Sequence, residues 1–196
     1  MMMKGLAVLT PVLATRGPTR AAQIASLAVF QGTWFAAVFG AAQCVSLSSI
    51  VCVLCAVVWH LGMSERPTQE ALLVGIACLI GFVVETVHGL LGYVGFPCAG
   101  GSLGLVPAWL VAMWGLFAIC LNVTLRWLRS RWWLAAIVGA VGGPLSFASG
   151  VKLGAAYFVD PLPALVVIAA TWSVVLPLMV WLSIRLDGIS RVEQAP

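Results

Sequence analysis

Six runs of apolar residues, each close to the length that crosses a bilayer, follow one another along this chain with short polar breaks between them. The runs cover 22–43, 45–61, 71–93, 105–125, 132–151 and 162–184. Within each run the apolar residues are continuous. A β-barrel would need alternating strands of about ten residues, so helices are the reading. The breaks include S-E-R-P-T-Q-E at 64–70, an uncharged Gly-rich loop at 95–104 and R-W-L-R-S-R at 126–131. The pattern predicts an all-α polytopic membrane protein, a bundle of six transmembrane helices. It predicts one domain over 22–184, a cytoplasmic tail over 1–21 expected to be disordered, and a cytoplasmic tail over 185–196.

Charge orients the plan. Lys4, Arg16, Arg20, Arg66, Arg126, Arg129, Arg131, Arg185 and Arg191 all fall on one side of a six-span arrangement, and only Lys152 falls on the other. Positive residues stay on the cytoplasmic side, which predicts both termini inside and location in the inner membrane. Trp59, Trp127, Trp132, Trp133 and Trp181 then form a belt at the cytoplasmic interface. Trp34, Trp114 and Trp172 lie deeper, where an indole N–H wants a partner.

Composition narrows the class. The 196 residues are 62% hydrophobic and 8% charged, with a mean hydropathy of +1.10. A soluble domain carries about 25% charged residues, so lipid is the solvent here. The net charge of +4 belongs to helix flanks, which points to anionic headgroups and not to nucleic acid. Membrane lipids, and a membrane-protein partner, are the expected partners.

Ionisable groups within a span are site candidates, because burying them in hydrocarbon is costly. Glu85 lies about 21 Å along the third run, in the outer part of the membrane, with His88 one turn further on. Ser146 and Ser149 of the fifth run share that depth, Lys152 lies one turn further out, and Gln31 of the first run lies below it. The expectation is one polar pocket built from Glu85, His88, Ser146, Ser149, Lys152 and Gln31. Gly142, Gly143 and Pro144 should kink the fifth helix and let a neighbour approach closely. Glu-x-x-His spacing also occurs in di-iron bundles, but the further carboxylates such sites use are missing from the other runs. No metal, cofactor or catalytic residue is expected, and no phosphate-binding loop or flavin fingerprint is present. Cys44 and Cys98 fall in outward loops, where an oxidising compartment can pair them.

Four stretches carry a resemblance: F-Q-G-T-W-F-A-A-V-F-G-A at 30–41, W-H-L at 59–61, P-A-W-L-V-A-M-W-G-L-F-A at 107–118 and G-A-V-G-G-P-L-S-F at 139–147. The chain resembles a family of small bacterial inner-membrane proteins of unknown function, over roughly 22–184. The resemblance implies an aspartate where this chain has Glu85, so the acid is kept but lengthened. It also implies a lean towards membrane-lipid physiology. The expected function is a non-enzymatic accessory or binding component for a lipid or small amphiphile. The alternatives are a small permease or substrate-capture subunit, and a lipid-modifying enzyme.

Overall fold

The structure, a computed structural model, describes residues 15–98 and 106–192. The expectations for 1–14, for 99–105 of the Gly-rich loop and for 193–196 lie outside the described residues.

Six α-helices run in order along the chain: α1 (Arg20–Ala42), α2 (Ser46–Gly62), α3 (Pro67–Leu90), α4 (Ala108–Leu121), α5 (Trp132–Lys152) and α6 (Pro161–Arg185). Local chemistry sets their ends. Thr19 caps α1 by accepting the Ala22 N–H at 3.2 Å. α3 and α6 open on prolines, whose missing N–H costs nothing in a first turn. Pro144 sits inside α5 without ending it. α4 is shorter than the apolar run that predicted it. Pro107 caps its start, and after Asn122 the chain passes into a single turn of 3-10 helix at Arg126–Leu128.

Four of the helices, α1, α3, α5 and α6, are long and apolar enough to cross a membrane. α2 and α4 have 17 and 14 residues, about 26 and 21 Å of helix, against a hydrocarbon core of about 30 Å. α4 is apolar on every side, and it is the helix the others surround. Trp114, Leu116, Ala118, Ile119 and Leu121 are all buried. One side of it packs with α3 and α6 in a core around Leu73, Ala77 and Met179. The other packs with α1 and α2 around Ala37, Val53 and Ala56. The periphery is apolar too, with Leu47, Leu79, Leu162 and Val174 exposed, as a lipid-facing surface requires.

Small residues bring pairs of helices together. At Gly40 an added Cβ would lie 2.6 Å from Ser49 Oγ. Ser49 uses that closeness to donate to Ala37 O at 2.7 Å, tying α2 to α1. α5 and α6 meet at Gly139, where an added Cβ would lie 2.1 Å from the Trp172 carbonyl oxygen.

The ends of the bundle are fastened differently. Strands β1 (Thr15–Arg16) and β4 (Arg191–Val192) pair antiparallel, so the described parts of the two tails are ordered and lie side by side. At the opposite end β2 (Val94–Gly95) pairs with β3 (Tyr157–Phe158). There a disulfide joins Cys44, in the α1–α2 turn, to Cys98, with the Cα atoms 5.1 Å apart.

Gly139→Ala should lower stability by about 1–3 kcal/mol, because the backbone oxygen it meets has nowhere to go. Gly142→Ala, whose Cβ would meet nothing within 4 Å, should be neutral or slightly stabilising. Thermal unfolding of the two variants in detergent measures the contrast, and equal midpoints would refute the contact.

Candidate functional site

The buried stripe of α3 reads Glu70, Leu73, Ala77, Gly81, Glu85 and His88. Their spacing of three and four keeps them on one face. That face is apolar in the middle and carries a carboxylate near each end, and each carboxylate meets a histidine.

The outer pair is Glu85 and His88. Glu85 Oε2 lies 3.2 Å from His88 Nδ1, and Glu85 Oε1 accepts the Trp114 indole N–H at 3.2 Å. Gly81 makes this reach possible. An added Cβ there would sit 2.1 Å from Trp114 Cγ, so the indole of α4 lies directly on the backbone of α3. On its far side His88 Nε2 is 3.1 Å from Thr171 Oγ1 of α6. The Thr171 hydroxyl already donates to Val167 O at 2.9 Å, so it accepts from His88 and Nε2 carries a proton.

Sequence reasoning brought Glu85 and His88 together but chose the wrong neighbours. Ser146, Ser149, Lys152 and Gln31 do not meet them. α5 presents Phe147 to His88, with ring centroids 6.2 Å apart, and turns its serines the other way. Ser149 donates to Leu145 O of its own helix at 2.7 Å. Of the partners that reasoning left out of the cluster, Trp114 had been read only as a deep indole wanting an acceptor, and Thr171 carries no charge and gave no pattern to find.

Ser146, Ser149, Lys152 and Gln31 line a cleft between α1 and α5 instead, of about 610 Å³. Phe117 and Cys120 of α4 and Trp172 and Leu176 of α6 form its floor. Gly139, Gly142 and Gly143 give α5 a thin wall there. A smaller chamber of about 110 Å³ adjoins it and shares Phe30, Trp34, Phe117, Ser146 and Trp172 with it. Trp172 stacks on Trp114 at 4.9 Å, so this one aromatic pair separates the cleft from the Glu85 cluster.

The inner pair was not anticipated. Glu70 Oε2 lies 2.9 Å from His60 Nε2, and Glu70 Oε1 accepts from Asn122 Nδ2 at 2.6 Å and from the Gly188 N–H at 2.7 Å. Glu70 stands in the first turn of α3, where the helix dipole favours an acid. Asn122 also receives Arg129 Nη2 on its own oxygen. Arg129 and Arg126 reach Asp187 Oδ2 at 2.8 and 2.9 Å, and Arg66 donates to the Asp187 carbonyl. The segment after α6 is thus clasped to α3, α4 and the basic connector. Among the described residues no group of three or more His, Cys, Asp or Glu side chains is placed to hold a metal.

Burial works against the charge on Asp187. The Ser190 hydroxyl, the Arg129 hydrogen bond and the Arg129 and Arg126 charges outweigh it and hold its carboxyl well below the ordinary 3.8. In acid the folded chain therefore binds fewer protons here than the unfolded chain. The stability this gives is complete above the ordinary carboxylate range and is lost as the pH falls below it. Unfolding midpoints in detergent should fall between about pH 5 and pH 2, and Asp187→Asn should flatten that fall. An unchanged pH profile in the variant would remove Asp187 from the account.

No curated protein and no solved structure matches the chain. Residues 23–178, from the first turn of α1 into α6, match the sequence model of the family described as "Protein of unknown function (DUF2878)", and the chain belongs to that family.

Proposed function

We propose that the protein is a membrane-embedded binding component for an amphiphile, which it takes sideways from the bilayer into the cleft between α1 and α5. The observation that carries this is the cleft itself. Its volume of about 610 Å³ falls within the range of small-molecule sites, about 300–1,000 Å³. Its walls are Leu, Phe, Trp and bare glycine backbone, and its polar groups are few. Leu27, Phe35 and Leu145 of that lining are also exposed at the bundle's side, so the way in is from lipid. Lys152, Ser149 and Gln31 supply a polar side for a headgroup, and an apolar chain fits the rest. Glu85 and His88 do not line the cleft, which favours binding over chemistry on the ligand.

We further propose six crossings of a bacterial inner membrane, a single domain over 22–184, and both ends in the cytoplasm. The basic residues support this orientation. So does the pairing of β1 with β4, which holds the two ends of the chain at one end of the bundle. The disulfide at the other end suits an oxidising compartment. α2 and α4 fall short of a full span, but α4 is enclosed by its neighbours, so its length is not matched to lipid.

Native mass spectrometry of the detergent-purified protein should find an amphiphile on the wild type. Gly142→Phe, which projects a ring into the cleft without a clash at its Cβ, should lose it while keeping its unfolding midpoint. Equal occupancy in both would overturn the cleft as the site. For the orientation, the four other cysteines are replaced by alanine. A membrane-impermeant thiol reagent applied to reduced, intact cells should then label Cys44 and Cys98 but not a Ser130→Cys variant that lacks those two. Labelling at position 130 would reverse the topology.

A further inference from the structure

With the cleft as the amphiphile site proposed above, we infer that the ligand carries a flat conjugated ring bearing carbonyl oxygens on an apolar tail, the chemistry of a prenylated quinone. Three observations converge on one residue.

The first is the chamber at the inner side of the cleft. It is lined by Trp34, Trp109, Trp114, Trp172 and Phe147 among other apolar side chains. Aromatic walls favour a flat ring through offset and edge-to-face contact, which a saturated chain cannot return. The chamber measures about 110 Å³ and is continuous in lining with the larger cleft. A closed apolar cavity of about 150 Å³ accepts benzene, so a chamber opening into further space is the right scale for one six-membered ring. The tail then runs along the cleft towards the lipid.

The second is an unpartnered donor. Trp172 Nε1 is buried and has no hydrogen-bond partner. Leaving such a group unsatisfied costs about 1–3 kcal/mol. Its stacking partner Trp114 is not in this position, because its N–H is given to Glu85. Of two stacked indoles at the same depth, one has an acceptor and the other does not.

The third is where that donor lies. Nε1 is bonded to Cδ1, and Cδ1 sits 2.5 Å from where a Cβ on Gly143 would be. Gly143 itself lines the cleft. The indole N–H is thus covered beside a residue of the cleft wall, and the proposed contact requires the ring to turn across the bare glycine so that the N–H meets a ligand oxygen. A carbonyl is the acceptor that suits this depth, since it brings no charge into the bundle. A carboxylate would bring one, and its place is at Lys152 on the rim.

The test is a thermal-shift titration of the full-length protein in detergent with three ligands whose alkyl tails have nine or ten carbons: decylbenzoquinone, decylbenzene and decanoic acid. The quinone should bind at least about tenfold tighter than either of the others. Trp172→Phe keeps a ring on Trp114 and removes the N–H. It should cut quinone affinity about tenfold and leave decylbenzene unchanged. Gly142→Phe should abolish all three. Equal binding of quinone and decylbenzene to the wild type overturns the carbonyl inference and needs no variant to fold. Tightest binding of decanoic acid does the same, and leaves the cleft as an amphiphile site. Failure of all three ligands to bind overturns both.

Discussion

Hydrocarbon offers no hydrogen bonds, so a polar group within this bundle is costly unless it finds a partner inside the chain. Two carboxylates on one helix make that constraint severe. α3 answers it by placing Glu70 and Glu85 on the same buried stripe and giving each a histidine. The rest of the architecture is organised around those two pairs. α4 sits at the centre because it supplies Asn122 to one and Trp114 to the other. α6 follows because Thr171 closes the outer cluster and the segment beyond it, through Gly188, closes the inner one. A short, uniformly apolar α4 suits this role. It is a core element bordered by other helices and has little lipid to match.

Glycine and tryptophan work as a pair throughout. Gly81 lets the Trp114 indole lie on the α3 backbone, and Gly139 and Gly143 let Trp172 lie against α5. Each bare backbone creates the space that one indole fills, and the two indoles stack on each other at 4.9 Å. The result is a continuous path of contact from α3 through α4 and α6 to α5. The buried Trp114 and the half-buried Trp172 are held there by packing that a smaller residue would leave as a void. The same arrangement leaves Gly142 facing open space, so the wall of α5 that packs and the wall that borders the cleft are neighbouring faces of one helix.

The helices were legible in the sequence, because hydrophobic length is a strong signal. Six helices fall where six apolar runs were read, with α4 the main departure, trimmed by Pro107 and by the turns after Asn122. The site was less legible. Glu85 and His88 share a helix, and a spacing of three residues put them together without any tertiary knowledge. Depth alone then suggested Ser146, Ser149 and Lys152, and depth does not say which way a helix is rotated. Phe147, between them, is the residue that faces His88. The His60–Glu70 pair was missed for a related reason. Both residues sit near helix ends, where charged and polar residues are ordinary, and only the fold makes them buried. The chain after α6 was read as a tail because it is short and polar. Its order comes from Arg126 and Arg129 converging on Asp187, a contact across more than fifty residues.

The separation between the Glu85 cluster and the cleft bears on the binding role proposed above. A pocket meant to transform a ligand would present its acid and histidine to it. Here both are fully engaged and screened behind a stacked pair of indoles. What reaches the cleft is aromatic surface, glycine backbone, a serine edge and one lysine at the rim. Those groups suit recognition of shape and a few oxygens. The two carboxylate–histidine pairs, the disulfide and the two small sheets all fix the frame, while the region between α1 and α5 is bridged by none of them. A rigid frame with one lightly joined seam facing lipid can admit a molecule from the bilayer without disturbing the buried charges. The proposed binding role rests on that division of labour.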